Sequence, residues 1–208
     1  MTRIPKATLA LALLAVAYKS LFARKVLTWG TQGAEATEAL PGDELIANPD
    51  GVSTRAIAID APASAVWPWL AQLGPAPRGG AYTYDWIENL FGLNMHSADH
   101  VLEEFQNPRL GDSISFGANT MEIAVLEDQR TIVWREASGN WVWAFIIVEA
   151  DGATRLISRN SFRLPTLAAR IAMAPMMPGS LIMESKMLIG IKQRAERLAR
   201  EPVSTATA

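Results

Sequence analysis

The sequence predicts an α+β domain: a curved antiparallel sheet with two short helices near its start and one long helix at its end. Three observations carry this. A strand-like run, "VSTRAIAID", leads directly into an apolar helical stretch. From "RLGDSISFG" onward, alternating runs are separated by turn residues, which is the pattern of an antiparallel meander. The C-terminal region then changes to three–four spacing, the mark of a helix lying on a sheet.

The elements follow in order. After Trp29-Gly30, "TQGAEATEALPGDELIANPDG" is polar and turn-rich and reads as an irregular lead-in over residues 29–52 that wraps the domain. In the first strand Ile57 and Ile59 share one side. "APASAVWPWLAQLG" is a short helix, with Pro62 suited to its first turn, Gly74 to its end, and Pro68 removing one helical hydrogen bond. "GPAPRGGAYTY" is a loop. "DWIENLFG" is a second short helix, with Asp85 placed to cap it and Gly92 to end it. In "NWVWAFIIVEA", Trp141, Trp143, Phe145 and Ile147 point one way, and Val142, Ala144, Ile146 and Val148 the other. Both faces are apolar, so this strand is covered on both sides or lines something apolar. Asp128-Gln129-Arg130 and Asp151-Gly152 supply turns. Pro175 and Pro178 divide the last region into a short apolar piece and a helix from about Gly179 to Arg200, on which Leu181, Glu184, Leu188, Ile191, Ala195 and Leu198 recur on one face. The domain proper is expected over 53–200, with a disordered tail at 201–208.

Composition narrows the function classes. Half of the residues are hydrophobic and 19% are charged, so a substantial core is available and global disorder is excluded. A net charge of −2 gives no electrostatic footprint for nucleic acid. The absence of cysteine excludes disulfides, thiolate metal sites and a cysteine nucleophile. Residues 1–28 hold "ATLALALLAVAY" between Arg3 and Lys6 on one side and Lys19, Arg24 and Lys25 on the other. The apolar run is shorter than the ~20 residues of a membrane-spanning helix. It reads as an interfacial anchor, as a signal peptide ending near "AVA", or as a helix packed on the domain. The anchor places the protein at a membrane with its domain in the cytoplasm; the signal peptide would export it.

"TRAIAIDAPASAVWPWLAQLG", "GGAYTYDWIENLFGLNMHSAD", "RLGDSI" and "MESKMLIGIKQRAE", with the lead-in "WGTQGAEATEALPGDEL", resemble bacterial proteins of the SRPBCC superfamily. Those proteins are polyketide cyclase/dehydrase-like, with a START/Bet v 1-like helix-grip fold. The resemblance runs from about Trp29 to Glu196. It implies a deep apolar cavity between the sheet and the long helix. It implies little about activity, because the superfamily includes lipid carriers, hormone receptors, cyclases and oxygenase domains. The apolar "LAARIAMAPMMPG" before the last helix departs from the common pattern, so a cavity mouth there would differ.

Under that fold the first short helix, with Trp67 and Leu70, roofs the open end of the sheet. Trp67 and Trp69 serve a cavity wall or a plain core equally well. "RGGAYTYDW" places Arg78, Tyr82, Tyr84 and Trp86 at the expected entrance. Arg78 suits a carboxylate or phosphate head group and the tyrosines a ligand carbonyl; the alternative is a loop in which Arg78 pairs with Asp85 or Glu88. His96, Asp99 and His100 have the spacing of metal ligands only on a helix, and the segment lacks a helical pattern, so no metal and no cofactor is expected. His96, Trp141, Trp143, Met183 and Met187 complete the candidate ligand-binding set. Met173, Met176 and Met177 extend the methionine-rich region, which suits irregular guests or core filling. Arg155, Arg159 and Arg163 share a strand face and are expected in solvent; an inward Arg159 would need a carboxylate such as Glu136.

The expected function is binding or carriage of a hydrophobic small molecule (lipid, isoprenoid or polyketide-like) near a membrane. The alternative is a cyclase or dehydratase working without metal or nucleotide, with Tyr, His96 or Asp85 moving protons. A third reading is a membrane-attached, partner-binding domain whose interior is filled.

Overall fold

The structure is a computed structural model and describes residues 25–150 and 153–201. The N-terminal apolar segment through residue 24, the Asp151-Gly152 turn and the tail from residue 202 lie outside the described residues. Strands β1 (Gly51–Ile59), β2 (Ser113–Phe116), β3 (Asn119–Glu127), β4 (Thr131–Glu136), β5 (Trp141–Ala150) and β6 (Ala153–Phe162) form one antiparallel sheet, in the order β1-β6-β5-β4-β3-β2. Helices α1 (Ala63–Ala71) and α2 (Asp85–Leu90) connect β1 to β2, and α3 (Leu167–Arg200) follows β6 and packs on β1 and α1. The sheet curves enough for Phe116, on edge strand β2, to reach 6.3 Å from Trp143 on β5. This is the helix-grip arrangement.

Alternation sorts the strands onto two faces. Ile57 and Ile59 of β1, Ile132 and Trp134 of β4, Phe145 and Ile147 of β5 and Leu156 of β6 join the concave core with α1 and α3. Ala56, Val133, Val142, Ala144, Ile146 and Ile157 form a second cluster on the convex face, covered by Leu40, Leu45 and Ile46 of the lead-in. Covering on both sides is why β5 is apolar on both sides.

Arg155 and Arg159 of β6, with Arg163 just beyond its end, fasten that cover; for the first two this corrects the expectation of a solvated face, whereas Arg163 is exposed. Arg155 makes a bidentate pair with Glu35, at 2.6 and 2.8 Å. Arg159, only 4% exposed, donates to Thr54 Oγ1, to the carbonyls of Glu35 and Glu38, and to Asp43. Arg163 donates to the Ala47 carbonyl. The carboxylate partner of Arg159 is therefore Asp43 rather than Glu136. Glu136 instead accepts from Ser138.

Both short helices are shorter than their apolar patterns. α1 starts after Pro62, which stands at the N-cap, and contains Pro68. In α2 Asp85 is the first residue rather than the cap, and its carboxylate accepts from Ser97 N and Oγ at 2.7 and 2.6 Å. Gly92, at φ 72°, turns the chain out of that helix. α3 differs more. It runs unbroken from Leu167 through Pro175 and Pro178, where two pieces were expected. Each proline removes one N–H and crowds the carbonyl four residues back, typically at about 3 kcal/mol in a helix interior. The neighbouring turns are exposed at Ile171, Met176, Pro178 and Gly179, so backbone carbonyls that lose a partner there can turn to water.

α3 crosses the Tyr82 loop at Gly190, where an added Cβ would stand 2.5 Å from the Tyr82 carbonyl oxygen and 2.8 Å from its Cβ. Tyr82 itself is held at φ 58°, its hydroxyl donating to the Trp69 carbonyl at 3.0 Å. Backbone faces backbone at this crossing, so neither side yields. Gly190→Ala is expected to destabilise the fold by about 1–3 kcal/mol. A denaturant midpoint unchanged from wild type would show that the helix slides aside freely.

Candidate functional site

A polar network ties α3 to three strands at one end of the concave face. It begins with β1, whose inward face carries Arg55 in register with Ile57 and Ile59. The Arg55 side chain has no exposed surface; its Nε donates to the Val26 carbonyl at 3.1 Å and its Nη2 to Ser180 Oγ at 3.0 Å. Its Nη1 pairs with Glu184 Oε2, the carboxylate that stands among the apolar residues of the α3 stripe. The other oxygen of Glu184 accepts from Ser158 Oγ at 2.5 Å and from Asn160 Nδ2 at 3.2 Å, both on β6. Burial pushes the Arg55 guanidinium down to about 10, so it remains a cation at neutral pH.

The same β6 side chains orient two indoles. Trp143 Nε1 donates to Ser158 Oγ at 3.0 Å, and Trp141 Nε1 donates to Asn160 Oδ1 at 2.8 Å. Donor and acceptor roles run one way throughout: indole to hydroxyl or amide, and hydroxyl or amide to carboxylate. The rings lie in a row along β5. Trp141 stacks on Trp143 with centroids 5.9 Å apart and an 18° angle, and Trp143 tilts onto Phe145 at 4.8 Å. Phe145 is completely buried, while Trp143 and Trp141 are half-buried. The row therefore leads from the sealed core to an accessible aromatic shelf.

The space between sheet and helix, expected as a roomy cavity, is filled with side chains beyond that shelf. A ligand-sized void would leave its walls accessible. Phe145, Leu156, Leu188, Ile191 and Ala195 instead have no exposed surface, and Trp134, Leu70 and Met187 are 1% exposed. Trp67, Trp69 and Trp134 each bury an indole N–H with no acceptor among the described residues, a cost that the packed interior carries. Two surface clefts stand out, both away from the shelf. One of about 550 Å³ is lined by Pro41, Gln129, Thr131 and Ile147, among others; one of about 520 Å³ lies beside Gln193, Arg197 and Arg200.

The predicted ligand-binding residues divide accordingly. Trp141 and Trp143 form the shelf, and Met183 is half-buried on α3 one residue before Glu184. Trp67, Leu70, Tyr82 and Met187 are core residues. Tyr82 meets Trp69 edge-on at 5.9 Å with the Arg194 guanidinium over its other side, and burial drives its phenol pKa well up, which fixes it as a donor rather than a proton shuttle. Arg78 folds back on the end of α1, donating to the carbonyls of Ala71 and Leu73 over the Phe105 ring, and pairs with neither Asp85 nor Glu88. Its capacity for a head group is thereby largely taken up. Tyr84, at the N-cap of α2, and Trp86 within it are exposed, with Lys186 5.8 Å over the Tyr84 ring. His96 is exposed. "HSADH" is not helical, and Asp99 is held by Arg194 at 2.8 Å.

Sequence reasoning missed Arg55 and Ser158, placed Asn160 among the polar residues of the meander strands without a role, and read Glu184 only as part of a stripe. A signal was present: Glu184 is a charged residue at an apolar stripe position, and Arg55 an arginine on the inward side of an apolar strand.

No protein-family model and no curated protein matches the chain. Solved structures do. A Polyketide_cyc-like protein from Corynebacterium glutamicum is 18% identical, covering 72% of this chain and 89% of its own, with a TM-score of 0.36. A protein from Mesorhizobium loti is 17% identical, covering 69% and 97%, with a TM-score of 0.41. An AHSA1-like protein from Aeromonas hydrophila is 12% identical, covering 69% and 92%, with a TM-score of 0.38. None of these likenesses speaks to activity.

Proposed function

We propose that this chain binds a hydrophobic, ring-bearing small molecule on the Trp141–Trp143 shelf. One observation carries the reading: two stacked indoles, locked by hydrogen bonds to β6, remain partly accessible at the end of a concave face that is otherwise closed. A pre-set aromatic surface binds flat apolar groups at little entropic cost. Phe116, tilted 56° against Trp143, limits one side. The ligand class is lipid-soluble and polyketide-like rather than ionic, because the charges of Arg55 and Glu184 already satisfy each other. Such a molecule partitions into lipid, which is where the apolar N-terminal segment would keep the protein. Carriage accounts for this geometry without a reaction step. A cyclase reading would need a proton-transfer group at the shelf, and Glu184 is committed to Arg55.

The test is direct. An anilinonaphthalene sulfonate dye and a panel of polycyclic aromatics and fatty acids are titrated into wild type, Trp141→Ala, Trp143→Ala and Trp141→Phe. Losing a stacking partner is expected to weaken ring-bearing probes by about tenfold, with Trp141→Phe intermediate and fatty acids weaker throughout. Equal affinities across the folded variants would remove the shelf as the site. Failure of every probe to bind wild type would favour the filled, partner-binding reading.

A further inference from the structure

The first half of α3 has the composition of a buried helix and the exposure of a surface one. Between Leu167 and Met183 its only charged residue is Arg170, and that is tied to Asp50 at 2.9 Å. Yet Leu167, Ile171, Met176 and Ile182 are 73%, 66%, 59% and 57% exposed. Leu167, Ile171 and Ile182 fall on one face at 100° per residue. Further along the same helix, Met187, Leu188, Ile191 and Ala195 are packed on the domain.

The route of the chain says what covers the exposed half. Val26 is buried, and its carbonyl is held by Arg55, which also bonds Ser180 on α3. One arginine therefore links the point where residues 1–24 join the domain to the exposed half of α3. Those residues carry an apolar run flanked by Arg3, Lys6, Lys19 and Arg24, and Lys25 is exposed. The exposed half of α3 thus stands beside the point from which the sequence leads back into an apolar run with basic flanks. Apolar helix faces with basic flanks match an anionic lipid surface, where acyl chains take the one and head groups the other. Among the described residues no helix is long and apolar enough to cross a membrane, so α3 would lie in the interface rather than span it.

We infer that the first half of α3 is a membrane-docking face, which inserts Leu167, Ile171 and Ile182 into the lipid surface reached by the N-terminal segment. This stands independently of the shelf reading.

The experiment uses the full chain with vesicles of phosphatidylcholine, with and without phosphatidylglycerol. It compares wild type, Ile171→Glu/Ile182→Glu and Ile171→Leu/Ile182→Leu by co-sedimentation and by hydrogen exchange over residues 167–182. Both sites are exposed, so the variants should fold. The glutamate pair is expected to lower the partition coefficient about tenfold or more and the leucine pair to leave it near wild type. Residues 167–182 of wild type should gain protection on adding vesicles, more so with the anionic lipid. Wild-type partition retained by the glutamate pair would mean that the N-terminal segment acts alone and would overturn the inference. So would protection of 167–182 that is already complete without lipid, or self-association lost in the glutamate pair with lipid binding unchanged, since either assigns the face to protein.

Discussion

Replacing Glu184 with alanine is expected to lower the unfolding free energy by about 3–5 kcal/mol, the usual cost of stranding one member of a buried ion pair. The loss has two physical sources. Arg55 keeps its charge in a site without exposed surface, with only the Val26 carbonyl and Ser180 as partners. Ser158 and Asn160 lose the acceptor that fixes their orientation, and with it the direction in which they hold Trp143 and Trp141. In a denaturant melt the midpoint should fall with little change in slope. Removing both charges together, as in Arg55→Met/Glu184→Leu, should recover most of the stability, because the desolvation cost of the pair disappears with its attraction. The double variant should not recover ring-probe binding, since Ser158 and Asn160 still lack the carboxylate that orients them toward the indoles. A single Glu184→Ala variant within about 1 kcal/mol of wild type would show that Arg55 finds water, and that the network is a weak one.

What the sequence showed and what it concealed follow from the range of each interaction. The two-sided apolar pattern of β5 is local, and it placed Trp141 and Trp143 on the correct face before any contact was known. Arg155, Arg159 and Arg163 were likewise placed together by period two. The environment of Arg155 and Arg159 was misread because "TQGAEATEALPGDEL" looks like solvent-facing loop. Its covering role depends on where it lands, and that depends on bonds spanning more than a hundred residues, such as Arg155 to Glu35. The Arg55–Glu184 pair required the register of α3 over β1, which no spacing rule supplies. The prolines of α3 misled for the opposite reason: a strong local signal was outweighed by a helix anchored at its other end against the domain. Likewise the tandem Trp67 and Trp69 of α1 fitted either a roof or a core, and only the filled layer between sheet and helix assigns them to the core.

Arg159→Ala should release the lead-in before it unfolds the sheet. The substitution deletes donors to the Glu35 and Glu38 carbonyls, at 2.8 and 2.9 Å, and to Thr54 and Asp43, at 2.9 and 2.6 Å. The Asp43 side chain is 34% exposed and can rehydrate, so the cost is smaller than for Glu184: about 2–4 kcal/mol, mostly from carbonyls left without donors. Hydrogen exchange should accelerate over residues 29–50 first, uncovering Val133, Val142 and Ile146 on the convex face and raising the tendency to aggregate. Acid should act on the same strap through Glu35. Burial tends to raise that carboxyl, but hydrogen bonds from Arg155 and the Gln32 N–H outweigh it and hold the pKa below its ordinary 4.5. A folded value below the unfolded one stabilises fully above 4.5, and the contribution is lost as pH falls through the folded value. Wild type taken from pH 6 toward 3 should therefore begin to resemble Arg159→Ala at neutral pH, in the exchange of residues 29–50 ahead of the sheet. If those residues and β4–β6 instead lose protection together under both conditions, the lead-in is an integral part of the sheet's cooperative unit and not a strap held by arginines.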